Sequence, residues 1–391
     1  MGKNSHNLKS FIALILGIFF ALMISETILQ IIDFPKRPVS GWLNCKKMSP
    51  DQCNSLGFRG REIIYSPNDY VVLLVGDSEV YTAYFPYDQM PERLLERYLR
   101  KYRDDVKVFT LGDMGYGQDQ QYLALKKYYE KHRADLVLLM FTARNDIDNN
   151  LFPTSGQNNT AKPTFWLDNG KLHGPTEDWM SPVGPKIKIM LLWQYYFGES
   201  IGKFRLEKWK KEVFPAPYQP LSEYEGEINY SWHEAWKKYP NLVFQGIEFE
   251  RVVFANQMTP RSELRQYGIN LTRSLFSEMK KLVEANNGHL IIFKEERPWE
   301  IKYTDKEEVF FMDGKYYRLS MKQYHNNLKD LFNGYEHHRI PLSISNYAVD
   351  SDNDHLSQQA LDLLFNKLSN IISKTNCFNM KKRHTSENVK P

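Results

Sequence analysis

Short apolar runs recur along this chain, each followed by a stretch with helical spacing, and this rhythm restricts the fold more than any other feature. Residues 70–75 (YVVLLV), 106–111 (VKVFTL) and 136–141 (LVLLMF) are three such runs. Near-continuous apolar runs of this length suit strands buried on both faces. Helical spacing covers residues 86–102 through Met90, Leu94, Leu95, Tyr98 and Leu99, and a second helix is expected over 118–132. The rhythm breaks over residues 147–258, a long aromatic and Pro-containing stretch that reads as an insertion. It returns with a helix at 262–284, a strand at 289–293 (HLIIF), a helix at 321–332, a strand at 340–344 and a closing helix at 357–372. Strands alternating with helices imply an α/β chain: a parallel sheet covered by helices on both faces. No internal repeat is present.

The N-terminus bears on where the rest of the chain sits. Residues 10–25 (SFIALILGIFFALMIS) carry no charge, and apolar character resumes at Ile28, Leu29, Ile31 and Ile32, beyond Glu26. As a helix, residues 11–32 are enough to cross a hydrocarbon layer of ~30 Å. A cleaved signal peptide and an uncleaved anchor both fit this pattern. No small-x-small cleavage site follows the apolar run, which favours the anchor, and Glu26 is a cost that an interfacial position would relieve. Lys3 and Lys9 precede the segment while Lys36 and Arg37 follow it, so flanking charge does not fix the orientation. Either reading exports the remaining chain, to the periplasm or the cell surface. The organisation expected is an anchor over 1–33, a lead-in over 34–69, one domain over 70–375 carrying the insertion, and a polar tail over 376–391.

A net charge of +4 and a pI near 8.6, spread over 391 residues, give no argument for a nucleic-acid partner. The densest basic run, Met380-Lys381-Lys382-Arg383-His384, lies in the tail and reads as a solvated terminus. Of the three cysteines, Cys45 and Cys53 close a short loop with no His or further Cys nearby to complete a zinc set, and Cys377 is the odd one. A Cys45–Cys53 disulfide suits an exported chain, with two unpaired thiols as the alternative. Aromatic residues make up 14% of the chain and cluster over 165–254, including Trp166, Trp179, Trp193, Trp209, Trp232 and Trp236. Such rings serve either as core filler or as a carbohydrate-stacking surface.

In open parallel sheets, ligands bind beyond the carboxyl ends of the strands. The first strand runs into Gly76-Asp77-Ser78, the second into Gly112-Asp113-Met114-Gly115-Tyr116-Gly117, and the third into Thr142-Ala143-Arg144-Asn145-Asp146. Asp352-Asn353-Asp354-His355 stands just before the last helix. Each segment alone has a bland reading, since Ser and Asp cap helices, Gly makes turns and Asn makes Asx-turns. Their joint occurrence on one rim, in this order, points to a site.

The arrangement resembles the SGNH/GDSL hydrolase superfamily, whose four blocks contribute Ser, Gly, Asn and a final Asp-x-x-His. Ser78 matches the first block, Gly115 the second with Gly117 as fallback, Asn145 the third, and Asp352 with His355 the fourth. The lead-in Asn54-Ser55-Leu56-Gly57-Phe58-Arg59-Gly60 is similar to the segment ahead of the first block in bacterial membrane-anchored members. Ala143, where glycine is usual, and Glu79-Val80, after the nucleophile, depart from the pattern without touching a catalytic side chain. The resemblance implies a flavodoxin-like three-layer sandwich around the parallel sheet.

It also implies a serine esterase. His355 would take the Ser78 proton, Asp352 would orient His355, and the oxyanion would be held by the Ser78 and Gly115 N–H groups and the Asn145 amide. Asp77, Asp146 and Asp354 read as structural. No cofactor or metal is expected: the Gly112–Gly117 spacing is not a dinucleotide fingerprint, and adjacent His337 and His338 would diverge. The partners implied are an acyl-ester or glycan substrate and the membrane. Exported members that O-acetylate polysaccharides beside a multi-span membrane acyltransferase use the same triad, so transfer is the rival to hydrolysis. A catalytically silent glycan- or partner-binding module is the third reading.

Overall fold

The computed structural model describes residues 3–32, 34, 52–151, 162–175, 187–197, 230–231, 255–312, 315–350 and 353–379. In chain order the first elements are α1 (Lys3–Ile31), β1 (Tyr70–Gly76), α2 (Ser78–Tyr81), α3 (Pro91–Leu99), β2 (Val106–Gly112), α4 (Gln118–Tyr129), β3 (Leu136–Met140) and α5 (Asp146–Leu151). Next come β4 (Trp166–Asp168), β5 (Lys171–His173), α6 (Lys188–Phe197), β6 (Tyr230–Ser231), β7 (Met258–Thr259), α7 (Glu263–Ala285) and β8 (His289–Glu296). The last are α8 (Pro298–Lys302), β9 (Glu307–Met312), β10 (Lys315–Ser320), α9 (Met321–Phe332), β11 (His337–Pro341), α10 (Gln358–Ile372) and α11 (Asn376–Asn379).

The main sheet has five strands, all paired in parallel, in the order β11-β8-β3-β1-β2. Counting only these strands, that is the doubly wound 2-1-3-4-5 order of flavodoxin-like folds. Alternate side chains on a strand point to opposite faces. Val71, Leu73 and Val75 therefore pack with Phe109, Val137 and Leu139 under α4, α7 and α9, in a core containing Leu125, Tyr128, Phe276 and Leu331. Val72 and Leu74 face the other way and pack with Val108, Leu138 and Ile291 under α3 and α10, through Leu95, Leu99, Leu361 and Phe365. Burying a side chain of this size stabilises by roughly 1.5–3 kcal/mol, and burial on both faces is why these strands read as unbroken apolar runs.

Several boundaries differ from the sequence reading. The last strand spans His337–Pro341, not 340–344, because β11 is an edge strand and tolerates the polar run His337-His338-Arg339. Helix α3 begins at Pro91 rather than near 86, with proline in the first-turn position it favours. The antiparallel pair β9–β10, joined by β6 and β7 into a four-stranded second sheet, was not expected at all. Within the insertion the described residues include most of α5, the β4–β5 hairpin, α6 and β6.

Within Ser10–Ile31 of α1 an 18-residue window has a mean hydropathy of 2.4 and none of it is buried, so α1 is long and apolar enough to cross a membrane. Cys45 lies outside the described residues, and the expected Cys45–Cys53 pairing with it; Cys377 carries a free thiol beside Thr375 Oγ1 at 3.2 Å.

Candidate active site

The rim of the sheet is built around Val80. A Cβ added to Gly76 would stand 2.5 Å from Val80 Cγ2, and one on Gly112 would stand 2.7 Å from Val80 Cγ1. Bare backbone at the ends of β1 and β2 thus lets α2 sit directly on the strands, with Ser78 as its first residue. Asp77 caps this turn: its Oδ1 accepts the Glu79 N–H at 3.0 Å and the Thr142 hydroxyl at 3.0 Å, and its Oδ2 accepts Asn145 Nδ2 at 3.1 Å. The far end of α2 stops at Thr82, which is left-handed at φ 43°. Arg59 of the lead-in holds that end, donating to the carbonyls of Tyr81 (3.0 Å), Thr82 and Phe85 (2.7 Å). The lead-in therefore braces the turn that presents Ser78.

His355 reaches Ser78 from a position 277 residues away, with Nε2 at 2.9 Å from Oγ. Its Nδ1 lies 2.7 Å from Asn353 Oδ1, and its own backbone N–H donates to the same oxygen at 3.3 Å. A backbone N–H can only donate, so the atom it meets is the amide oxygen, and Nδ1 must carry the proton to bond it. The remaining nitrogen, Nε2, is then the bare one and accepts from Ser78. The Tyr84 ring packs on the imidazole with centroids 4.9 Å apart.

A buried charge network grips the backbone around His355. Glu79 Oε2 accepts the Leu356 N–H at 3.0 Å, and Glu79 Oε1 meets Arg297 Nη2 at 3.0 Å. Arg297 also meets Glu295 at 3.2 Å and donates to the Asp354 carbonyl at 2.9 Å. Arg144 pairs with the Asp354 carboxylate. Burial pushes Glu79 up to about 7 against the pull of Arg297, with Glu295 and Asp77 adding to the rise. Arg297 stays charged, because Glu295 and Glu79 outweigh its desolvation. Burial, then Arg144 and Arg297, push His355 down to about 4, which keeps the imidazole neutral and basic in form.

No family model matches the chain, and no curated protein matches it. Among solved structures it is similar to the crystal structure of TesA, at 9% identity and a TM-score of 0.36, over 76% of this chain and 96% of that one. It is also similar to a "putative arylesterase from Agrobacterium tumefaciens str. C58", at 10% identity and a TM-score of 0.33, over 77% of this chain and 97% of that one. A third likeness, at 10% identity and a TM-score of 0.32, is to a carbohydrate esterase whose active site "displays divergent catalytic and non-catalytic binding functions", over 81% of this chain and 71% of that one. The strand order carries the fold assignment by itself. The chain has a flavodoxin-like, doubly wound fold.

Ser78 and His355 are in hydrogen-bond contact, and Asn145 is tied to Asp77, the neighbour of Ser78. Gly115 follows β2 with φ 68°, a left-handed conformation that favours glycine, while Gly117 is the N-cap of α4 at φ −91°. Asp352 lies outside the described residues, and Asn353 is the residue on His355 Nδ1. Asp146 is wholly buried and accepts from Thr142 N (2.8 Å) and Gln118 Nε2 (2.7 Å); burial, then Asp77, raise its pKa well above the usual carboxylate range. Glu79, noted in the sequence only as a departure, faces the network behind the site. Arg144, Arg297 and Asn353 were not foreseen. Among the described residues no cluster of His, Cys, Asp and Glu is placed to hold a metal.

Proposed function

We propose that this chain is an exported, membrane-anchored serine esterase that works through an acyl-enzyme on Ser78. The observation that carries this reading is the 2.9 Å contact between Ser78 Oγ and a His355 imidazole whose other nitrogen holds the proton. A serine hydroxyl becomes a competent nucleophile only when a base takes its proton. In the proposed cycle His355 Nε2 takes that proton as Ser78 Oγ bonds to the acyl carbon. The oxyanion accepts from the Ser78 and Gly115 N–H groups and from the second N–H of the Asn145 amide. Collapse breaks the ester C–O bond, and His355 returns the proton to the departing alcohol. Water, deprotonated by His355, then releases the acid and restores Ser78. Asp352 is proposed as the third member of the triad, on the resemblance, with Asn353 fixing the tautomer. Export places the Cys45 and Cys53 thiols where a disulfide forms.

An O-acyltransferase would share every step up to the acyl-enzyme and substitute a sugar hydroxyl for water in the second half. A membrane acyltransferase would then supply the acyl group. The test is turnover of nitrophenyl esters of increasing chain length by the full chain in detergent, with and without oligosaccharide acceptors. Steady turnover without acceptor supports the esterase. A burst of one equivalent that resumes only when acceptor is added supports the transferase, and no Ser78-dependent reaction leaves only the binding module.

A further inference from the structure

Glu26 is the one charged residue within Ser10–Ile31, the apolar stretch of α1. Its carboxylate closes the start of α6: Oε1 accepts the Lys188 N–H at 2.8 Å and Oε2 accepts the Ile189 N–H at 2.9 Å, across more than 160 residues of chain. Gln30 Nε2 donates to it as well, at 2.6 Å. First-turn N–H groups have no partner inside their own helix, and a carboxylate there is favoured by the helix dipole. The contact relieves two costs at once, a charge in an apolar span and the open end of a helix.

It also fixes depth. Glu26 stands five residues before the end of α1 at Ile31, about 7.5 Å along a helix axis. Measured against a hydrocarbon layer of ~30 Å, that is just inside its boundary. Whatever caps onto Glu26 starts at that boundary. In α6, Lys188 and Leu191 turn inward and are 4% exposed, while Ile187, just ahead of the helix, Met190 and Trp193 are 50%, 54% and 66% exposed. A spacing of three residues gathers these apolar side chains on one side of the helix. Tryptophan favours the membrane–water interface, where an apolar ring body and a polar N–H are both accommodated.

We infer that α6 is an interfacial helix whose Ile187, Met190 and Trp193 side chains rest on the lipid surface beside α1. The inference rests on α1 being a membrane anchor. The occupant of the stripe is lipid rather than protein because α6 packs directly on α1, which places the stripe beside the span that lipid covers. The chain then holds its membrane at two points, and the catalytic domain cannot swivel freely about a single helix.

The test reconstitutes the full chain in vesicles of phosphatidylcholine and phosphatidylglycerol carrying nitroxide-labelled acyl chains. Flotation reports the anchor; lipid quenching of tryptophan emission, compared between the native chain and Trp193→Phe, reports α6. The expected result is flotation of both, with a quenched component that is lost in Trp193→Phe and reduced in Glu26→Leu. Flotation with the same quenching in native chain and Trp193→Phe overturns the inference while leaving the anchor intact. Quenching unchanged in Glu26→Leu overturns the role given to the cap. Failure of the native chain to float overturns the anchor and the inference together.

Discussion

Glu79 and Arg297 form a buried ion pair at 3.0 Å, and each also holds the backbone on one side of His355: Glu79 takes the Leu356 N–H, and Arg297 binds the Asp354 carbonyl. The imidazole is therefore clamped by its flanking peptide groups, from residues that touch neither of its nitrogens.

Such a clamp predicts a loss of rate rather than of binding. Glu79→Gln keeps the shape but weakens the pair, and a misplacement of about 1 Å at a catalytic group can cost ~100-fold. The expected outcome is a roughly 10- to 100-fold fall in kcat with KM nearly unchanged. Arg297→Ala leaves Glu79 and Glu295 buried without their cation, and thermal unfolding is expected to register a loss of about 3–5 kcal/mol. A Glu79→Gln enzyme with native kcat would show that the pair does not position His355.

Asn353 holds the imidazole Nδ1, while Asp352 is the residue proposed to orient it in catalysis. An acid that stabilises the imidazolium is worth ~10⁴ in kcat in a related triad. If Asp352 serves, Asp352→Asn falls by roughly that factor, whereas Asn353→Ala loses about one hydrogen bond, ~10-fold. Steady-state kinetics on both variants decides the matter, and the reverse order would hand the role to Asn353.

The cations beside His355 predict a pH signature. Activity needs the neutral imidazole, so it is lost as pH falls through the His355 pKa. Burial, Arg144 and Arg297 push that value down to about 4, below the ordinary ~6.5. The acid limb of kcat/KM is accordingly expected below 6.5. Arg144→Gln removes one opposing charge, raises the pKa and moves the limb to higher pH. A pH–rate profile with the same limb in both enzymes would rule out the electrostatic coupling.

Asn145 is held by Asp77 through one N–H of its amide, at 3.1 Å, and its second N–H is the proposed oxyanion donor. Removing one such donor typically costs ~10²–10³ in kcat. Asn145→Ala is expected to lose that much against nitrophenyl acetate while still reacting covalently at Ser78. A loss confined to KM would place Asn145 in ground-state binding instead.

How much of this was legible in the sequence depended on the range of the forces involved. β1 and β3 announced themselves because burial on both faces demands an unbroken apolar run. β11 was misplaced by three residues because an edge strand can carry His337, His338 and Arg339, which mask its start. β9 and β10 were missed: the charged start Glu307-Glu308 leaves β9 only the short apolar run at 309–312, and β10 (KYYRLS) mixes charged and apolar residues. Ser78 and His355, which the fold brings into contact, could be singled out because each sits in a short motif at the end of a strand or the head of a helix. Arg297 had no such marker. In Lys294-Glu295-Glu296-Arg297-Pro298 it reads as a solvated charge, and only the fold brings it to Glu79, 218 residues earlier.

Covalent labelling tests whether Ser78 is an activated nucleophile with His355 as its base. The full chain in detergent is treated with a fluorophosphonate, digested, and the adduct located by mass spectrometry. One adduct is expected, on the Ser78 peptide, absent in Ser78→Ala and formed far more slowly in His355→Ala. No adduct on the folded native chain, or labelling that survives Ser78→Ala, would contradict it.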